Sequence, residues 1–227
     1  MKIASITSEA TPLAKSGGLG DVVSALAGSL SRGGHDVRLI MPLYGFMNRA
    51  AAKLRRASVR IPCGKGKSRR TLRVWEGRLP GSRVVLYALE ASRLYARQGI
   101  YVKKDGREFK DNLERFSILC QAALSLFPLL GWKPDILHCH DWISSLAAVH
   151  LEHGAGAVDT FYGRTASVLT ACVRSRGVTD IDAPCAGDSS TSRGLTHEPF
   201  RLYLTIWLIN HQQPAISPTT SAWFSAR

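Results

Sequence analysis

Two hydrophobic periods alternate along this chain. Residues 2–7 form a short, β-branched apolar run that reads as a buried strand. Leu19, Val22, Val23, Leu26 and Leu30 then recur at helical spacing, and Gly33-Gly34 closes that helix. Residues 37–41 are a second apolar strand, stopped by Pro42. A strand, a helix and a strand joined this briefly imply parallel pairing. Residues 56–61 and 71–75 predict a hairpin around Cys63-Gly64-Lys65-Gly66-Lys67, and residues 83–89 another strand. A glycine-containing polar loop follows at 98–107. Residues 111–127 carry an amphipathic helix with Leu113, Phe116, Ile118, Leu119, Ala122, Ala123, Leu126 and Phe127 on its apolar side. After Gly131, residues 134–138 predict a further parallel strand, 142–151 a helix and 164–170 one more strand.

Beyond Thr170 the pattern fails. Residues 171–194 are rich in Ser, Thr, Asp and Gly, and 202–209 are apolar without context that assigns them. Residues 212–227 are rich in Pro, Ser and Thr and read as disordered. The expectation is an α/β domain over 1–170, a Rossmann-like parallel sheet with flanking helices. An irregular tail over 171–227, disordered or non-native in sequence, would follow it.

Hydrophobic residues make up 45% of the 227, ample for a core. No apolar run is long enough to cross a bilayer, and the first residues turn polar too quickly for a signal peptide. Five cysteines without a Cys-x-x-Cys pair predict reduced thiols and a cytoplasmic location. The net charge is +13, of which residues 49–83 contribute +11. That block reads as a solvated hairpin face. A polyanion-binding surface is the rival reading, but Trp75 alone interleaves the charges and no nucleic-acid motif is present, so nucleic acid is not the expected partner.

The candidate chemistry sits at Lys15-Ser16-Gly17-Gly18-Leu19-Gly20-Asp21, between the first strand and its helix. A glycine loop at a helix N-terminus offers unpaired amides and a positive partial charge to an anion. Gly17 and Gly18 allow close approach, and Lys15 adds a mobile cation. Asp21 falls in the first helical turn, where it can cap or accept from hydroxyls.

From this stretch onward the chain resembles the N-terminal catalytic domain of bacterial glycogen synthases and plant starch synthases. The likeness covers residues 3–22, Leu39-Ile40-Met41-Pro42 with Tyr44, Leu94-Tyr95, Gly99-Ile100-Tyr101 and Asp111-Asn112-Leu113-Glu114-Arg115-Phe116. It is strongest in Trp132-Lys133-Pro134-Asp135-Ile136-Leu137-His138-Cys139-His140-Asp141-Trp142.

The resemblance implies the N-terminal half of a two-domain GT-B glycosyltransferase. Such an enzyme moves glucose from ADP-glucose to the non-reducing end of an α-1,4-glucan with retention, without a metal or other cofactor. It implies that Lys15, Gly17 and Gly18 hold the donor diphosphate and that Asp141 faces the glucose as the catalytic candidate. Asp21, Tyr95, Asn112, His140 and Trp142 match further substrate-binding positions. Each has a plainer alternative: Asp141 could cap the following helix, Asn112 could start one, Tyr95 could be a sheet-edge aromatic. His138 and His140 share a strand face that Cys139 does not, so His-Cys-His is a poor joint metal site, and core or cleft-lining histidines fit better.

The chain also departs from the family. Ile143 follows Asp141-Trp142, where histidine or another polar residue is usual. Ala171-Cys172-Val173 stand where a histidine contacting glucose is expected. No second Rossmann domain is recognisable, so the sequence leads one to expect a truncated or frame-disrupted copy, inactive alone. Another GT-B glycosyltransferase and a non-catalytic polyanion-binding protein are the competing readings.

Overall fold

The structure, a computed structural model, describes residues 1–64, 69–153, 157–163, 165–173 and 203–209. The first parallel unit is β1 (Lys2–Ile6), α1 (Leu19–Arg32) and β2 (Asp36–Pro42). β1 is covered on both faces, which explains why its residues do not alternate between buried and exposed. α1 buries Leu19, Val23 and Ala27 at helical spacing. It ends where Gly33 bonds back to the Ser29 carbonyl (2.9 Å) and Gly34 takes a φ of +86°, a conformation glycine adopts without strain.

The chain then runs through β3 (Arg55–Cys63), β4 (Arg70–Arg78), β5 (Val85–Glu90) and a single helical turn, α2 (Ser92–Tyr95). The long α3 (Asn112–Leu129), β6 (Ile136–His140), α4 (Trp142–His153), α5 (Ala157–Tyr162), β7 (Ala166–Val173) and β8 (Tyr203–Ile209) complete it. The eight strands make one sheet in the order β3-β4-β5-β2-β1-β6-β7-β8.

The five central strands are parallel, with Ile3 beside Val37 on one side and Ile136 on the other. The expectation of a parallel sheet needs one correction: both edges are antiparallel, β3-β4-β5 at one and β8 on β7 at the other. The β3-β4 and β4-β5 connections are too short to cross over the sheet, so these strands can only fold back. α3 packs against α4 and reaches under β3.

Two stretches of the expected irregular tail lie in strands. β7 continues to Val173, and β8 pairs along it from Ser167↔Ile209 to Val173↔Tyr203. The expectation of disorder over 212–227 lies outside the described residues. β6 starts two residues later than predicted, because Asp135 is used in closing the strand's entry. Its amide donates to the Lys2 carbonyl (2.8 Å), and its carboxylate accepts from the Lys2 amide (2.7 Å).

From β1 the sheet grows one way through β2 and the other through β6. The connections after these strands diverge there, and open α/β sheets place ligands at that crevice, past the carboxyl ends of the strands. Residues 7–18 and Asp141 both emerge at this edge.

Candidate functional site

Past β1 the chain makes a tight turn, in which the Thr7 hydroxyl accepts from the Glu9 amide (3.1 Å) and donates to the Glu9 carbonyl (2.9 Å). The turn carries the Glu9 carboxylate inward, where the residue is 2% exposed. One carboxylate oxygen accepts from the Ser16 amide (2.7 Å) and the Gly17 amide (3.2 Å). The other accepts from the Ser16 hydroxyl (2.8 Å) and the Tyr101 hydroxyl (2.8 Å). Two of the amides that the sequence offers to an external anion are therefore held by an internal carboxylate.

The helix entrance itself stays open. No side chain caps α1, and the N–H groups of a helix's first turn have no partner within the helix. A Cβ added at Gly17 or Gly18 would meet nothing within 4 Å, so both face open space. At Gly20, by contrast, a Cβ would lie 3.2 Å from the Thr11 hydroxyl and 3.3 Å from the Ala14 carbonyl.

Lys15 lies beside this entrance, its ammonium 2.5 Å from the Asp21 carboxylate, which also accepts from the Thr11 hydroxyl (2.8 Å). The Lys15 bond, and after it the Thr11 bond, pull the Asp21 carboxyl below its ordinary range. Both side chains are half-exposed, so the pair is a surface ion pair that a bound anion can rearrange at little cost.

Asp141 follows β6 with a φ of +63°, a left-handed conformation that Asp tolerates better than most residues. Its amide donates to the Thr170 carbonyl (2.6 Å) on β7, and its carboxylate accepts from the Trp142 amide (2.8 Å) at the start of α4. Capping and a crevice position coexist. Burial raises the Asp141 carboxyl above its ordinary range. The Trp142 amide partly offsets this, and the Glu9 carboxylate adds to the rise. Trp142 is 54% exposed, with its indole edge-on to Phe116 (5.5 Å) and tilted over Tyr101 (6.3 Å).

Glu9, Tyr101, Asp141 and Trp142 thus adjoin one another. Glu9 ties this group to the loop that carries Lys15, Gly17 and Gly18.

Three expected substrate-binding residues lie behind that surface. Tyr95 is fully buried, because α2 turns Leu94 and Tyr95 inward, and its hydroxyl donates to the Arg115 carbonyl (2.8 Å). Asn112 donates to the Tyr101 carbonyl (2.9 Å) and accepts from the Arg115 guanidinium (2.7 Å). His140 is 1% exposed, bonded to the Ser5 hydroxyl (2.9 Å) and stacked on His138 at 4.0 Å. His138 bonds the Thr170 hydroxyl (2.8 Å). Among the described residues no cluster of three His, Cys, Asp or Glu side chains is placed to hold a metal, and no helix is long and apolar enough to cross a membrane.

Sequence reasoning passed over Glu9, Tyr101 and Arg115. Each lies inside a motif block named above, so the blocks were signal enough to mark them. Nothing local distinguishes a carboxylate turned inward from one in solvent.

The sheet and its crevice define the class: a Rossmann-like half of a GT-B fold, with a glycine loop and an aspartate meeting at the strand ends. Residues 2–172 match the starch synthase catalytic domain, and the chain belongs to that family as its N-terminal domain. It is 42% identical over 173 residues to "Glycogen synthase 1" of Geobacter metallireducens and 41% over 172 residues to the protein of the same name in Geobacter sulfurreducens. Both comparisons cover 75% of this chain and 34% of the relative, so the chain spans about a third of their length. Among solved structures it resembles the catalytic domain of starch synthase IV from Arabidopsis thaliana bound to ADP and acarbose. That match has 31% identity and a TM-score of 0.59, over 67% of this chain and 30% of the other.

Proposed function

We propose that this chain is the N-terminal domain of an ADP-glucose-dependent glucosyltransferase that extends the non-reducing end of an α-1,4-glucan with retention. The observation that carries the reading is the position of Asp141. Its left-handed backbone and capped carboxylate fix it at the crevice, one contact from the Glu9-braced glycine loop. In this reading Lys15 exchanges Asp21 for the donor diphosphate. The open first turn of α1 behind Gly17 and Gly18 adds its amides. Asp141 hydrogen-bonds the sugar near the reacting carbon, and the exposed Trp142 ring gives the glucose an apolar face to rest on. ADP and acarbose in the starch synthase IV structure support this choice of donor and glucan. Binding without efficient turnover is the outcome we infer for this chain, because Ala171-Cys172-Val173 supply no imidazole at the end of β7.

Titration with ADP-glucose, paired with incorporation of labelled glucose into glycogen, tests the reading. ADP-glucose should bind, and Lys15→Ala should weaken it about tenfold through loss of one charge-assisted contact. Asp141→Asn keeps the cap and should leave stability unchanged, while any incorporation falls by about 100-fold or more. ADP-glucose binding that ignores Lys15→Ala, or incorporation that ignores Asp141→Asn, would sink the reading.

A further inference from the structure

The outer face of the β3-β4 hairpin carries charge that the glucosyl-transfer reading does not use. Antiparallel register sets Arg60 directly opposite Arg73. Like charges so placed repel one another, and a sheet face that keeps them forgoes stability. The pair flanks a surface groove of about 280 Å³, lined also by Thr71, Glu90, Ala91 and Ser92. Glu90 answers only one of the two arginines. Its carboxylate lies 3.5 Å from the Arg73 guanidinium, and its other oxygen accepts from the Trp75 indole N–H (2.7 Å).

Trp75 in turn is flanked by the guanidiniums of Arg49 (4.8 Å from the ring centre) and Arg56 (5.6 Å). Glu90 thus pairs with Arg73 and accepts from the Trp75 indole, while Arg49 and Arg56 sit over that indole ring. Arg73 is held in place by its ion pair, and among the described residues no acid pairs with Arg60.

We propose that this groove is a binding site for a phosphomonoester, with Arg60 and Arg73 sharing the phosphate oxygens. Two arginines opposite one another across one strand spacing can together offer several donors to the acceptor oxygens of one phosphate group. Thr71 and Ser92 also line the groove, and their hydroxyls can add hydrogen bonds to the phosphate. The Glu90 carboxylate favours a small ester that carries hydroxyls over a long polyanion. A polyanion laid along this face would meet the carboxylate with like charge, whereas a hydroxyl can donate to it. The phosphate relieves the Arg60–Arg73 repulsion, so binding is coupled to hairpin stability.

The test uses the full 227-residue chain, titrated with sodium phosphate and with glycerol phosphate at constant ionic strength, chloride serving as the control anion. Both should bind saturably at this groove, with Lys15→Ala present throughout so that the α1 entrance contributes no second anion site. Arg60→Gln and Arg73→Gln should each weaken binding about tenfold, the loss of one charge-assisted contact. Arg60→Lys should retain part of it. Arg32→Gln, in the separate groove lined by Gly28, Ser31, Gly81, Ser82 and Arg83, should change nothing.

Protection of Arg60 and Arg73 from an arginine-specific dicarbonyl by phosphate, read by mass spectrometry, needs no variant. Phosphate binding that survives both glutamine substitutions, or no protection of either arginine, overturns the proposal. So does capture of an oligonucleotide with steep salt dependence while phosphate and glycerol phosphate fail to bind. That last result would make the face a polyanion surface.

Discussion

Glu9 decides more about the crevice than any residue that faces it. Its carboxylate holds two amides and two hydroxyls at once, drawing the glycine loop and Tyr101 to one point. Glu9→Ala leaves those donors without an acceptor in a buried place, a loss of about 2–3 kcal/mol, measurable as a lower urea midpoint. Glu9→Gln should recover most of it. The amide oxygen can still accept from Ser16 and Gly17, and the Ser16 and Tyr101 hydroxyls can reverse to accept from the new NH₂.

The outcome was not legible in the sequence, where Glu9 reads as an ordinary charge after a strand and Tyr101 stands 92 residues away. The positions of Lys15, Gly17, Gly18 and Asp141 at the strand ends were legible, because they follow from the ends of predictable elements. Tyr95 and Asn112 carry a ligand role by resemblance alone, and in the structure both are bonded to Arg115.

At the scale of elements, strong periodicity carried most of the reading. α1, α3 and α4 stand where apolar spacing put them, within a few residues. The hairpin shows the same legibility: Ile61, Cys63, Leu72 and Val74 point inward while Arg56, Arg60 and Arg73 point out. α2 and α5 were not anticipated, since four and six residues are too short to display a period. β8 is an apolar run that only its antiparallel partner identifies as an edge strand.

β4 also contains a constraint that composition does not reveal. A Cβ at Gly77 would lie 2.2 Å from the Ala52 carbonyl, the group that accepts from the Arg78 amide (2.9 Å). Gly77→Ala should therefore push the 49–54 turn off the hairpin and cost roughly 2–3 kcal/mol, seen as a fall in melting temperature. An unchanged melting temperature would mean that turn is not seated on β4.

For the whole molecule, strand order was the least legible property. The sequence implied parallel neighbours but not that β1 lies between β2 and β6. That choice depends on which faces the helices cover, and the placement of buried His140 beside β1 and of half-buried His138 beside β7 depends on it too. Burial lowers the His138 imidazole from 6.5 to about 4 and lowers His140 as well, the neighbouring His138 adding to that fall.

The folded state thus binds fewer protons than the unfolded chain below pH 6.5, so stability is full above that value and is lost as pH falls toward 4. Urea midpoints should drop steadily from pH 7 to pH 5, and His138→Gln, which keeps a partner for Thr170, should flatten that slope. A midpoint indifferent to pH over this range would count against two buried neutral rings.

Arg115, without surface exposure, is gripped by the carbonyls of Leu94 and Ile100 and by Asn112. Two of those three grips are main chain, so the lock is cut to the path of the polypeptide and not to the identity of residues 94 and 100. The guanidinium sets no demand on the side chains of Leu94 and Ile100, which are held apolar by their own burial. Descendants of this sequence can therefore vary there only among apolar residues that fill the same space, provided the guanidinium itself is never traded for an ammonium.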